Sequence, residues 1–178
     1  MEGRRIHVVA PDPAWRGMYA EEAARLKSVL GENVAALHHM GSTAVEGLWA
    51  KPIIDLFLQV YSLPALDAQS DALHTLGYTP LGEYGLPGRR YYPKGAPRTH
   101  HLHAYDVRNE APLRHLHFRD YLRAHPDVCD AYGRLKRDCA GRFPADAEGY
   151  CDCKDAFVAE HEARAIHWHQ EITSLGER

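Results

Sequence analysis

Apolar residues follow two different spacings along the chain, and the change of spacing divides it into a mixed first part and a helical last part. Short apolar and β-branched runs between turn residues predict strands at residues 6–9, 34–39, 52–60, 78–81, 89–92 and 99–107. Stripes at helical spacing predict helices at residues 13–30, 63–76, 112–124, 127–142 and 146–174. The pattern therefore predicts an α/β (α+β) chain, with a mixed β-sheet of about five strands, flanking helices and an all-helical C-terminal third.

No internal repeat or low-complexity tract interrupts the 178 residues. A hydrophobic share of 45% is enough to bury a continuous core. We therefore predict a single domain over residues 1–178, with an α/β part at 1–108 and a helical part at 109–178.

Charge and cysteine content narrow the class of protein. The net charge is -3 and like charges do not cluster, which argues against a nucleic-acid partner or a membrane surface and favours a small-molecule partner. The longest apolar run, at residues 52–60, is too short to cross a bilayer, and the N-terminus lacks the apolar core of a signal peptide, so we expect a cytoplasmic protein. The four cysteines show no CxxC spacing and lie in predicted helices, which favours reduced thiols over a disulfide framework.

One carboxylate interrupts the most apolar predicted strand. Asp55 lies among isoleucine, leucine and phenylalanine residues in the sequence PIIDLFLQV. An unpaired carboxylate in such surroundings would cost on the order of 3 kcal/mol or more, so Asp55 is expected to face a cation, a hydrogen-bond network or a solvated cleft. A metal ion is one such cation.

A histidine cluster lies in the predicted strand at residues 99–107. Strand alternation places His101, His103 and Tyr105 on one face. Two neutral imidazoles near a carboxylate of a neighbouring strand can bind a divalent metal or act as a base and its orienting partner. A face of ordinary cross-strand hydrogen bonds is the alternative.

Phosphate-binding candidates lie in a turn and at basic positions. The turn Gly41-Ser42-Thr43 would let backbone N–H groups and a hydroxyl approach an anion, although an ordinary turn has the same sequence. The irregular segment at residues 82–99 contains a short strand signal that indicates a hairpin, and four basic residues that would bind an anion or remain solvated: Arg89, Arg90, Lys94 and Arg98. Lys51 precedes the Asp55 strand, and Lys154 faces either the cleft or the rim of the core.

The chain resembles the GrpB family of nucleotidyltransferase-fold proteins. The resemblance rests on motifs that occur in the family's order from Trp15 to about Ile166: HMGSTAVEGLWAKPIIDL, GYTPLGEYGLPGRRYY, RTHHLHAYD, HFRDYLRAHPDV, YGRLK and YCDCKDAFV. It implies a polymerase-β-like fold in which a Gly-Ser turn binds the phosphates of a nucleoside triphosphate (NTP) and carboxylates on adjacent strands hold divalent metal. Active members of that superfamily carry a second acid two residues after the first, whereas Phe57 occupies that position here.

Three functions are compatible with these observations. The first is metal-dependent nucleotidyl transfer from an NTP such as ATP to a small molecule, or activation of a small molecule as its adenylate. In it Asp55, His101 and His103 hold Mg²⁺, Mn²⁺ or Zn²⁺, while phosphates are bound by Gly41, Ser42, Thr43, Lys51, Arg89, Arg90 and Lys154. The second is a non-catalytic module that binds a nucleotide or small anion, which the missing second acid favours. The third is metal-dependent hydrolysis of a phosphoester.

Overall fold

The computed structural model describes residues 5–176, which divide into two compact units. The sheet unit consists of residues 13–44 and 53–112. The helical unit consists of residues 5–12, 45–52 and 113–176 within the described range. The helical part is therefore not confined to residues after 108, because the short segment at residues 45–52 belongs to it as well.

The sheet unit is built on four strands in the order β1-β2-β4-β3. Their bounds are β1 Val34–Met40, β2 Ile54–Val60, β3 Arg89–Lys94 and β4 His100–Asp106. The outer pairs are antiparallel and the central pair, β2 with β4, is parallel. This is the predicted mixed sheet, and β3 with β4 forms the predicted hairpin.

The predicted count of about five strands is wrong by one. Residues 6–9 and 78–81 contribute only isolated bridges, Val9 to Ala50 and Tyr78 to Lys94. The second bridge does not extend because Thr79 donates its N–H to the carbonyl of Pro93, and proline has no N–H to donate in return.

Three helices of the sheet unit are α1 Ala14–Leu30, α2 Leu63–Ala68 and α3 Ser70–Thr75. The predicted single helix at 63–76 is divided at Gln69, whose side-chain amide donates to the carbonyl of Leu30 at 3.2 Å. Helix α1 packs on one face of the sheet, where the ring of Tyr19 stacks on His39 with 4.8 Å between the ring centroids. The opposite face carries the side chain of Asp55.

The helical unit contains α4 Arg114–Ala124, α5 Pro126–Arg142 and α6 Ala147–Gly176. Its core combines Leu122, Cys129 and Tyr132 with two residues of the segment at 45–52, Val45 and Leu48. No helix in the described range is both long enough and apolar enough to cross a membrane.

A disulfide joins Cys139 of α5 to Cys153 of α6, with 5.9 Å between their Cα atoms. The expectation of four reduced thiols is therefore wrong. Cys129 is free and buried, and Cys151 is free and exposed. The spacing of 14 residues resembles no metal or redox motif, and only the antiparallel return of α6 along α5 brings the two sulfurs together.

Candidate functional site

The site lies on the central parallel strands. Asp55 of β2 is in register with His101 of β4, and Phe57 is in register with His103. Because alternate residues of a strand point to the same face, the side chains of Asp55, His101 and His103 share one face of the sheet. The parallel pairing explains why one carboxylate meets both imidazoles.

The three side chains converge on one oxygen. Nδ1 of His101 lies 3.4 Å from Oδ1 of Asp55, and Nε2 of His103 lies 3.3 Å from the same atom. One candidate ligand atom from each residue falls within 4.8 Å of the others. The predicted convergence is thus present.

These separations match the spacing of ligands around one metal ion. The contact of His103 with Asp55 is a long hydrogen bond, since charge-assisted bonds between such groups are usually about 2.7–2.9 Å. Ligand atoms that each lie 2.0–2.1 Å from a tetrahedral ion are about 3.3–3.4 Å apart. Nε2 of His101 is buried and has no hydrogen-bond partner among residues 5–176, so this imidazole is incompletely satisfied by the protein. The donor set and its spacing therefore fit a divalent metal.

Asp55 is ionised in this environment. Burial by itself would raise the pKa of its carboxyl, but hydrogen bonding and charge from His101 and His103 outweigh burial and hold the pKa well below its usual range. The Asp55 side chain is nevertheless 28% exposed, and the side chains of His101 and His103 are 18% and 17% exposed. A ligand from solvent can therefore reach the three groups.

Tyr91 of β3 completes the floor of the site, and its role was missed from the sequence. Its ring centroid lies 5.5 Å from that of His101 and 5.2 Å from that of His103. Burial raises the pKa of Tyr91, the positive charge of Arg98 opposes the rise and the charge of Asp55 adds to it. Arg98 and Arg89 are therefore two basic residues of the 82–99 segment whose charges reach this face, and the guanidinium of Arg89 lies 4.9 Å from the Tyr91 ring centroid. Tyr91 could have been identified from the sequence, because residues two positions apart in a strand share a face and Arg89 was already a candidate site residue.

The turn after β1 approaches the carboxylate closely. Gly41 has φ of +73°, and a Cβ built on it would lie 2.7 Å from Oδ2 of Asp55. Ser42 is half-buried beside it. Thr43 is buried, donates its hydroxyl to the carbonyl of Ile53 at 3.1 Å and also contacts Nε2 of His39 at 2.9 Å. Thr43 therefore fastens the turn to the start of β2 and does not offer its hydroxyl to a phosphate.

Replacing Gly41 by alanine is expected to destabilise the protein by more than backbone strain alone. A left-handed conformation costs a non-glycine residue roughly 1–3 kcal/mol, and at Gly41 the added methyl must also displace Asp55. Gly82→Ala is the matched control, because Gly82 belongs to the same unit, has φ of +61° and has open space where its Cβ would lie. Urea unfolding compares the two variants, and equal losses would show that Asp55 is not in contact with the turn.

The two arginines expected at the site point to opposite faces of β3. Arg89 lies on the face of Tyr91, but its guanidinium donates to the carbonyls of Glu83 at 3.2 Å and Tyr84 at 2.7 Å. Arg90 binds both carboxylate oxygens of Asp67 in α2, at 2.7 and 3.0 Å, on the face covered by helices. Arg90 was predicted to bind phosphate, but consecutive strand residues point to opposite sides, so in this structure its guanidinium lies on the face opposite Asp55.

The two candidate lysines belong to the helical unit. The ammonium nitrogen of Lys51 lies 5.4 Å from the centroid of the Tyr150 ring, and that of Lys154 lies 4.4 Å from the same centroid. The structure thus brings Lys51 and Lys154 together, although the sequence separates them by about a hundred residues.

Comparisons with known proteins identify a family for this chain. The profile described as GrpB protein matches residues 5–164. The chain is 41% identical over 166 residues to UPF0157 protein YqkA of Bacillus subtilis, covering 93% of this chain and 48% of that protein. The chain thus spans about half the length of that relative.

Glutamate-rich protein GrpB of Alkalihalophilus pseudofirmus is 33% identical, with 87% of this chain and 92% of that protein covered. The crystal structure of conserved protein GrpB from Enterococcus faecalis superposes with a TM-score of 0.89 at 41% identity, covering 92% of this chain and 99% of that chain.

Proposed function

Because this chain belongs to the GrpB family, we propose that it is a nucleotidyltransferase-like protein that uses one divalent metal to transfer a nucleotidyl group from ATP to a small molecule. Formation of an adenylate on the small molecule belongs to the same class of reaction. The observation that carries the proposal is the convergence of Asp55, His101 and His103 on one face of the sheet.

The ligand chemistry favours a borderline metal. Two imidazoles and one carboxylate are typical of Zn²⁺ and Mn²⁺ sites, whereas Mg²⁺ usually takes oxygen ligands alone. Three protein ligands leave coordination positions for substrate oxygens. When bound, such an ion polarises a phosphoryl oxygen and stabilises the charge that develops on it.

The protein groups around the ligands have separate roles. Asp55 supplies the negative charge and faces both imidazoles, while the ring of Tyr91 packs beside both and limits their rotation. Gly41 is exposed, and its lack of a side chain leaves the Asp55 carboxylate accessible from the turn. Gly41 and Ser42 would therefore receive the phosphates of the nucleotide next to the metal.

A second function, binding of a nucleotide without turnover, is favoured by Phe57. It shares the face of Asp55 two residues further along β2, where a two-metal enzyme would carry a second acid, and only 1% of it is exposed. A buried phenyl ring cannot hold a second ion. The proposed reaction must therefore proceed with one metal, and the alternative requires only that the nucleotide bind.

One experiment separates the two functions. Wild-type protein is titrated with Mn²⁺ and Zn²⁺, and then incubated with ATP and metal while pyrophosphate release is measured. We expect one ion per chain, loss of at least about tenfold in metal affinity for His101→Gln and for His103→Gln, and pyrophosphate release that needs the metal. His74→Gln, which changes an exposed histidine of the same unit, is the control and should bind as wild type.

Each outcome decides between the proposals. Metal binding with pyrophosphate release supports transfer, and release of inorganic phosphate instead indicates hydrolysis. Metal-dependent ATP binding without any product supports the binding module. Metal affinity that is unchanged in both histidine variants overturns the assignment of the site.

A further inference from the structure

The segment at residues 45–52 is rigidly held where it enters the helical unit. Ala50 exchanges two backbone hydrogen bonds with Val9, at 2.8 and 3.2 Å. The carbonyl of Trp49 accepts a bond from the buried ammonium of Lys136 at 3.1 Å. Lys51 follows directly, so its backbone position is fixed although its side chain is exposed.

Helix α6 places two residues against the side chain of Lys51. Tyr150 and Lys154 are four positions apart and thus lie on one side of the helix. The ring of Tyr150 is 2% exposed, and both ammonium groups contact it at the distances given above. Three side chains from two separate parts of the chain therefore form one cluster, Lys51, Tyr150 and Lys154.

This cluster brings two positive charges to one aromatic ring. Within residues 5–176, neither lysine forms a hydrogen bond or salt bridge with a carboxylate. Burial lowers the pKa of Lys154; Cys151 and Asp155 oppose that effect, and the neighbouring charge of Lys51 adds to it. Burial raises the pKa of Tyr150 to about 12, so its hydroxyl keeps its proton at neutral pH. Like charges repel, so two ammonium groups beside one ring are an unfavourable arrangement by themselves.

We propose that Lys51, Tyr150 and Lys154 form a binding site for a phosphate group. Two ammonium groups and one hydroxyl are all donors, which suits the acceptor oxygens of a multiply charged tetrahedral anion. A free phosphate or diphosphate ion and the phosphates of a nucleotide share this chemistry. The proposal does not depend on the metal site, because all of its groups belong to the helical unit.

The test is calorimetric titration with sodium diphosphate in EDTA, which removes any contribution from metal. We expect wild-type protein to bind, and Lys51→Gln and Lys154→Gln each to bind at least about tenfold more weakly, as expected for a lost charged hydrogen bond. Lys27→Gln removes an exposed lysine with the same change of net charge, and it should bind as wild type. Equal affinity in all four proteins overturns the site.

A structural role for the lysines predicts a different result. If Lys154 mainly supports the fold, Lys154→Gln should lower the melting temperature. A phosphate site predicts that the melting temperature is unchanged or higher, since a poorly solvated charge beside Lys51 has been removed. If Lys154→Gln binds diphosphate more weakly and also has a lower melting temperature, the proposed role of Lys154 in binding is rejected.

Titration with ATP distinguishes the source of the phosphate. Tighter binding of ATP than of diphosphate, with the same dependence on Lys51 and Lys154, assigns the site to the phosphates of a nucleotide. Tighter binding of diphosphate than of ATP assigns the site to the free ion. If neither ligand binds, the proposed site is rejected. His103→Gln should leave these affinities unchanged in EDTA, so failure of the metal site and failure of this site are separable.

Discussion

Lys94→Met is expected to lower the free energy of unfolding by about 3–5 kcal/mol, because it leaves a buried carboxylate without its partner. The ammonium of Lys94 lies 2.7 Å from Oε1 of Glu22 in α1, and the side chains are 18% and 3% exposed, respectively. Arg25 also lies 3.7 Å from Glu22, but 60% of its side chain is exposed and solvent weakens its contribution. Urea unfolding at pH 7 measures the loss.

The pH dependence identifies the cause. In wild-type protein burial would raise the pKa of Glu22, but Lys94, with further contributions from Tyr78 and His100, outweighs burial and the pKa is lowered. The stabilisation by the Glu22–Lys94 pair is therefore fully present at pH values above the usual pKa of glutamate. It is lost as the pH falls below that value towards the lowered pKa of Glu22. In Lys94→Met the pKa of Glu22 should instead rise, so the variant should lose less stability at pH 5 than at pH 7. Glu22→Gln/Lys94→Met removes both charges and should recover much of the loss, and a double variant no more stable than Lys94→Met would contradict the pairing.

Loss of the Cys139–Cys153 disulfide is expected to reduce the free energy of unfolding by about 3 kcal/mol. The bond closes a loop with a sequence separation of 14, and cross-links of that span stabilise mainly by restricting the unfolded chain. We expect Cys139→Ala/Cys153→Ala to unfold at lower urea concentration than the oxidised wild type. Wild-type protein treated with a reducing agent should unfold close to the variant.

Cys151→Ser provides the matched control for the disulfide. Cys151 lies two residues before Cys153, is exposed and is free. Its replacement should leave the unfolding midpoint within about 0.5 kcal/mol of wild type. Alkylation of the unfolded, unreduced protein should label two cysteines, and labelling of four would show that the bond does not form in solution.

The central strands could be predicted because burial determines their composition. The apolar run predicts that Asp55 lies on a buried strand, and the alternation predicts that His101 and His103 lie on one face of another strand. In the structure the two strands are neighbours and the three side chains lie on the same face of the sheet. The register between β2 and β4 could not be predicted, since it depends on pairing across about forty residues. The same alternation should have excluded Arg90, because two consecutive strand residues never share a face.

Other differences arise from contacts between distant residues. The sequence suggests Lys94 as an anion-binding residue. The position of α1 shows that its ammonium instead forms a salt bridge with Glu22. The break at Gln69 depends on a hydrogen bond to Leu30, and no local pattern predicts it. Spacing along the chain does not predict the pairing of Cys139 with Cys153, because that pairing depends on the path of α5 and α6.

The segment at residues 45–52 has a consequence for how this chain can change in evolution. It belongs to the helical unit, yet sheet-unit residues precede and follow it in sequence. A single recombination point after residue 112 would exchange α4, α5 and α6 without Val45 and Leu48, which pack in the same core. A partner gene would therefore have to supply residues that already fit that core. Although the chain packs as two units, neither unit is one continuous stretch of sequence, so no single cut separates them.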